Sequence, residues 1–180
     1  MGLTKYLIPF AIAFLALVSC SNEPSLQKYL VDKQDDDNFL KIDLATSLLQ
    51  SEDSSFTEEQ QDILNTVKKV NVVAFKMSDG NVGEYKAEKE KIAAIMSQDK
   101  YKTLIKFGSN SRGATLKYLG EEDAIDEVIV FASDSEKGFA VFRLLGENMR
   151  PDQMIKLMNS IDSGDLDISK FSGIGDLLDM

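Results

Sequence analysis

The chain has 180 residues, with no histidine, no tryptophan and a single cysteine, and 30 Asp and Glu against 20 Lys and Arg leave a net charge of −10 at pH 7. That acidity argues against a nucleic-acid partner, whose binding rests on Lys and Arg neutralising phosphates. The absence of histidine excludes Ser-His and Cys-His catalysis and imidazole zinc sites.

Residues 1–19 have the three parts of a secretory signal. Lys5 supplies the positive start, Tyr6 to Val18 form an apolar run of thirteen residues, and the small Ser19 precedes a cleavage point. A membrane-spanning helix needs about twenty apolar residues, so the run is too short for a permanent span. Met1-Gly2 opens no myristoylation signal, because Tyr6 stands where Ser or Thr is required. Leu17-Val18-Ser19-Cys20 is the cleavage and lipidation box of a bacterial lipoprotein, and Cys20 is the chain's one thiol. The expectation is a mature protein that begins at a lipidated Cys20 and is tethered to a membrane without crossing it. One acyl chain anchors marginally, whereas two or more hold stably at about 0.8 kcal/mol per buried methylene. Loss of Lys5 with the signal makes the mature domain one charge more acidic, so acyl chains rather than a basic patch do the anchoring. Ser21, rather than Asp, after the cysteine favours the outer membrane by the sorting rule of enterobacteria.

Ser21 to Ser25 is the tether, reaching at most roughly 17 Å at about 3.5 Å per residue. Leu26, Tyr29 and Leu30 begin a helix, which Gln34 to Asn38, with its Asp35-Asp36-Asp37 run of surface charge, ends as a solvated loop. Phe39 to Asp43 alternates as a short strand. Leu44 to Val70 reads as helix in two pieces broken at Ser51 to Phe56. The second piece opens on a Thr57–Gln60 capping box and carries Ile63, Leu64, Val67 and Val70 on one side. Asn71 to Met77 is apolar on both alternating faces, as in a strand covered on both sides. After the Asp79-Gly80 turn, Glu84 to Gln98 is a helix with the stripe Tyr85, Ile92, Ile95 and Met96.

From Tyr101 the period is two. Tyr101, Thr103, Ile105 and Phe107 should line one strand face, with Lys102 and Lys106 on the other. Gly108 to Gly113 turns the chain into a return strand, Ala114 to Leu119. A second hairpin joins Asp126–Ala132 to Phe139–Gly146. Pro151 suits the first position of a last helix carrying Met154, Ile155, Leu157, Met158 and Ile161. The expected class is α+β: a mostly antiparallel sheet of about five to six strands, with helices packed mainly on one face. The organisation is a lipoprotein signal peptide (1–19), a lipidated cysteine and tether (20–25), one α+β domain (26–162) and an acidic, Gly-containing tail (163–180).

Chemistry-bearing patterns are sparse. Asp165, Asp167, Ser169 and Asp176 fall at positions 1, 3, 5 and 12 of an EF-hand-like loop. Lys170 replaces the glycine at position 6, and position 12 is Asp rather than Glu, so the stretch reads as an acidic tail. Gly108-Ser109-Asn110-Ser111-Arg112-Gly113 lacks the Gly-Lys-Ser/Thr of a phosphate loop and joins two strands. Glu121, Glu122 and Asp123 fall in an exposed loop between strands. No catalytic residue, cofactor or metal is therefore expected, and Cys20 is the one site assigned.

The Cys20 box, the Asn71-Val72-Val73-Ala74-Phe75 strand, the strand Tyr101 to Phe107 and Glu127-Val128-Ile129-Val130-Phe131-Ala132-Ser133 together carry a resemblance. Its strongest piece is Phe142-Arg143-Leu144-Leu145-Gly146 followed by Pro151-Asp152 and Ile155-Lys156-Leu157. Over roughly Leu26 to Ile161 the chain resembles the domain-of-unknown-function family 4252, small envelope lipoproteins of Gram-negative bacteria. The resemblance implies a location and a fold and carries over no catalytic residue. The reading that follows is a non-enzymatic binding or accessory module, held by a lipid on Cys20 in the outer membrane and facing the periplasm. Its expected partners are the membrane, through that lipid, and another envelope protein. A small lipid-anchored hydrolase using Ser or carboxylates is the second reading, and a surface-exposed structural lipoprotein the third.

Overall fold

Alternating apolar positions in six segments build one sheet, and the computed structural model describes it through residues 23–45, 57–109 and 111–162, with the backbone alone from residue 157. The described elements are α1 (Leu26–Asp32), β1 (Phe39–Ala45), α2 (Glu58–Thr66), β2 (Val67–Lys76), α3 (Val82–Met96), β3 (Lys102–Gly108), β4 (Arg112–Glu121), β5 (Ala124–Asp134), β6 (Gly138–Met149) and α4 (Pro151–Asp162). The six strands pair in the order β1-β2-β6-β5-β4-β3, every pair antiparallel. The α+β class and the antiparallel hairpins are as the sequence indicates.

The strand order explains α3. β2 and β3 are consecutive in sequence but four places apart in the sheet, about 19 Å at about 4.8 Å per strand. The 15-residue α3 is about 22 Å long at about 1.5 Å per residue, enough to carry the chain across that width. Three hairpin-linked strands then return to meet β2. Gly138 lets the last hairpin close against β2, with φ at +132° and room for no Cβ, which would lie 2.0 Å from the Phe75 carbonyl oxygen.

Directly opposed residues share a face, so the registers sort the core into two layers. On one face Phe39, Val73, Phe75, Ile129, Phe139 and Val141 lie under α1 and α3, which contribute Leu26, Tyr29, Tyr85, Ile92 and Ile95. Phe75 and Phe139 stack at 5.6 Å, and Phe39 meets Phe75 edge-on at 5.1 Å. On the other face Leu116, Tyr118 and Val128 lie under α2 (Ile63, Leu64) and α4 (Met154).

Three details differ from expectation. The described helices do not gather on one face; two cover each. The central strands are apolar on both sides, with Val72 and Ala74 opposite Val73 and Phe75, and Val128 opposite Ile129, so each face needs cover. Leu44 and Ala45 extend β1 instead of opening a helix, and Val67 and Val70 belong to β2. Thr66 ends α2, its hydroxyl donating to the Ile63 carbonyl at 2.7 Å, and the Val67 to Val73 run, rich in β-branched residues, favours extended backbone. The Thr57–Gln60 capping box forms in full. The even alternation of Tyr101 to Phe107 breaks at a bulge between Thr103 and Ile105. Thr103 opposes Lys117 on the face of α3, whereas Ile105 and Phe107 oppose Leu116 and Ala114 on the other.

Candidate functional site

Cys20 and the signal 1–19 lie outside the described residues, as do Asp165, Asp167, Ser169, Asp176 and the tail 163–180. The chain is tied down almost at once beyond the cysteine. Gln98 Nε2 donates to the Pro24 carbonyl, the Lys28 N–H donates to Ser25 Oγ at 3.1 Å to cap α1, and Leu26 is fully buried. Residues 21–23 alone separate Cys20 from this attachment. Among the described residues no helix is long and apolar enough to cross a membrane. Glu121, the last residue of β4, and Glu122 and Asp123 of the β4–β5 turn are all exposed. Of the Asp35–Asp37 run, Asp36 is more than surface charge. Its carboxylate accepts from Lys33 Nζ and from the Asn38 N–H, both at 3.1 Å, and its carbonyl accepts from Lys41 Nζ at 3.0 Å. Slight burial opposes its ionisation, but the Asn38 N–H and Lys33 hold the carboxyl below its usual range.

The structure brings together two charged clusters that the sequence reading did not single out, both on the face under α1 and α3. In the first, Glu88 of α3 is 3 % exposed and accepts from Lys33 at 3.0 Å and Lys91 at 2.7 Å. Burial resists its charge, yet the hydrogen bonds from Lys91 and Lys33 keep its carboxyl below the usual range. Lys33 is likewise resisted by burial and stabilised as a cation by Glu88 and Asp36, so its pKa is raised. Its ammonium also lies 4.5 Å from the Phe39 ring centre. Burial first, and then the Glu88 carboxylate beside it, push the Tyr29 phenol up. In the second cluster, Glu127 of β5 and Arg143 of β6, 6 % and 8 % exposed, pair at 2.9 Å, and Arg143 also donates to Gln27 of α1. Burial, followed by the Glu127 charge, raises the Tyr101 phenol. A sequence signal for both existed: Glu88 falls on the Tyr85–Ile92–Ile95 stripe, and Glu127 and Arg143 fall in phase with Ile129 and Val141 on buried strand positions.

Between the C-terminal half of α3 and the β3–β4 hairpin lies an open groove of about 660 Å³. Its apolar lining includes Met96 and Phe131, its hydroxyls include Thr103 and Thr115, and its cations are Lys89, Lys106 and Lys117. Lys117 is held in place by the carbonyls of Met96, at 2.6 Å, and Tyr101, at 3.3 Å, where its charge complements the C-terminal end of α3. A shallower depression of about 430 Å³ crosses the other face near Ala114, Ala132 and Ala140. The turn expected from Gly108 to Gly113 joins β3 to β4 beside both, with Gly108 in the left-handed region at φ +88°. Among the described residues no three acidic side chains converge as a metal site requires.

The model of a family described as "Domain of unknown function (DUF4252)" matches residues 29–157, well over half of the chain. No curated protein and no solved structure matches.

Proposed function

The chain belongs to the family of the domain of unknown function DUF4252, and from that membership and its N-terminal sequence we propose a lipid-anchored binding module of the Gram-negative cell envelope. Leu17-Val18-Ser19-Cys20 is the observation that carries the reading. Cys20 bears the lipid, the outer membrane holds it, and the domain faces the periplasm. The Pro24–Gln98 contact supports a domain held near the bilayer, because the slack from Cys20 to Pro24 is about 14 Å at most. A protein partner must then be reached close to the membrane, which points to another envelope protein.

The binding role, rather than hydrolysis, is favoured by the way buried carboxylates are used. Glu88 is held by two lysines and Glu127 by Arg143, so each is bound to a cation inside the core. A general acid or base must instead reach a substrate atom. The anchor is tested by metabolic labelling with a fatty-acid analogue. The wild-type chain should label and float with membranes, and Cys20→Ala should do neither, because no other thiol accepts the lipid. A Cys20→Ala chain that still labels sinks the anchor. Crosslinking in intact cells followed by partner identification tests the binding role; recovery of the chain alone counts against it.

A further inference from the structure

The sheet face under α2 and α4 is covered by them over only part of its extent. Ile63 and Leu64 of α2 and Met154 of α4 pack with Leu116, Tyr118, Ile125 and Val128, and on β1, β2 and β6 that packing reaches Leu44, Val70 and Leu144. Farther along the same three strands lies a separate apolar cluster. Val72 and Ala74 are its centre, and their packed neighbours among the described residues are Ile42, Val70, Ala140 and Phe142, all strand residues of that face. Side chains on one sheet face stand side by side, roughly perpendicular to the sheet, so they do not cover one another's tips. Val72 and Ala74 are nevertheless each 1 % exposed, whereas Leu40, opposite Ala74 on the edge strand, is 39 % exposed. No described helix contributes to this cluster.

The course of α4 selects the segment that covers it. α2 ends where the Thr66 carbonyl lies against Gly146 of β6, and α4 starts just beyond the end of β6. Lys156 of α4 meets Glu59, near the start of α2, at 2.6 Å. The two helices are therefore antiparallel, and α4 carries the chain away from the end of the sheet at which β6 finishes. It spans about 18 Å at about 1.5 Å per residue, and residues 163–180 continue from there. On a helix, Phe171, Ile174, Leu177 and Leu178 fall at i, i+3, i+6 and i+7 as one apolar stripe, with Asp176 and Asp179 on the far side. Residues 46–56, by contrast, are polar without interruption from Gln50 to Ser55 and are held at both ends, by Ala45 of β1 and by Thr57. Residues 1–22 lead into α1, on the opposite face. We propose that residues 171–178 dock as an amphipathic helix across Ile42, Val72, Ala74 and Phe142, so that the acidic tail completes the core with its apolar side and presents Asp176 and Asp179 to solvent. Gly173 and Gly175 weaken an isolated helix, and so short a segment is helical only when its apolar stripe is packed. The inference depends neither on the lipid at Cys20 nor on a partner protein.

The full chain with the photoprobe p-benzoylphenylalanine in place of Phe171 is irradiated in intact cells and digested with trypsin. A crosslink within the chain is expected, to Val70–Lys76 or Gly138–Arg143, the tryptic peptides that carry Val72, Ala74, Ala140 and Phe142. The same photoprobe in place of Asp179, on the far side of the helix, should not crosslink to them. A crosslink from position 171 to residues 46–56, to a second copy, to another protein or to lipid overturns the proposal, as does a yield no higher than from position 179. Stability gives a second reading. Ile174→Asp should lower the urea midpoint of the full chain by about 0.5 M or more, whereas Ser172→Asp, on the polar side, should leave it unchanged. Equal shifts from the two variants, or none from Ile174→Asp, also overturn it. The crosslink and the fatty-acid labelling of Cys20 are independent, so either can fail alone.

Discussion

Under α1 and α3 the sheet buries Tyr29, Phe39, Phe75, Tyr85, Tyr101 and Phe139 together with two paired carboxylates, whereas under α2 and α4 it buries Ile, Leu, Val and Met with Tyr118. The polar contacts of the first face are directional and join separate elements. Lys33 at the end of α1 meets Glu88 of α3, Arg143 of β6 meets Gln27 of α1, and Lys117 of β4 meets the last carbonyl of α3. On the second face α2 and α4 meet through apolar packing and an exposed Lys156–Glu59 pair at 2.6 Å. Apolar packing is non-directional and scales with area, so the second face should respond to volume. The first should respond to which partner is left behind.

The sharpest test is the Glu127–Arg143 pair. Glu127→Ala leaves a buried guanidinium without its counter-charge and should cost about 3–5 kcal/mol, read from the urea midpoint at constant slope. Glu127→Leu combined with Arg143→Met should recover most of that loss, because apolar replacement of a whole buried pair is often neutral or stabilising. Equal and additive losses from the two single changes, with no recovery in the double, would remove the distinction between the faces.

The second face is tested by adjacent residues of α4. Met154 is 2 % exposed among Ile63, Leu116 and Met149, while Ile155, one of the apolar residues the sequence assigns to the last helix, is half-buried. Met154→Ala should cost about 2–5 kcal/mol, and Ile155→Ala clearly less, since the penalty follows the buried volume removed. Thermal melts of the two variants settle the order. An Ile155→Ala chain that melts below Met154→Ala would mean that α4 is rotated about its axis.

What was readable in the sequence follows from the range of the interactions involved. The order of elements, the Thr57–Gln60 cap, the hairpin turns and Pro151 at the start of α4 depend on neighbours within a few residues. Boundaries failed where one apolar spacing served two structures: Val67 and Val70 continue the helical spacing of Ile63 and Leu64 but pair with Gly146 and Leu144 in the sheet. The bulge after Thr103 is invisible to a count of two, because one extra residue reverses every later side chain. Glu88 and Glu127 were legible only as acids at apolar positions. Lys91 lies within one turn of Glu88, but Lys33 and the Glu127 partner Arg143 come from 55 and 16 residues away, and which distant cation meets which acid is decided by the tertiary fold. The groove is further removed, since it exists only where α3 crosses over β3 and β4. The proposed lipidation of Cys20 is argued in the opposite way, from contiguous residues alone.

The smallest expected effect concerns acid stability and again separates the faces. Glu88 is held below the usual carboxylate range in the folded chain, so the unfolded chain binds its proton at higher pH. Its contribution to stability is therefore complete above the unfolded carboxyl's titration, at about pH 4.3, and is lost as pH falls through the lower folded value. Lys33, raised by Glu88 and Asp36 against the effect of burial, acts in the opposite window. Its contribution is present below the ordinary lysine range and disappears as pH rises through the elevated value. Glu88→Gln should destabilise the chain at pH 7, and its denaturation midpoint should fall less steeply than that of wild type below about pH 4.3. The two curves should converge as Glu88 becomes protonated, with a residual slope from Asp36, whose carboxyl is also depressed. Glu59→Gln on the second face removes an exposed partner of Lys156, and such pairs contribute little in water. Its curve should parallel wild type throughout. Urea midpoints at half-unit steps from pH 7 to 3 distinguish these outcomes. Parallel wild-type and Glu88→Gln curves would mean that Glu88 titrates as an ordinary carboxylate, and that the two lysines do not hold its charge inside the first face.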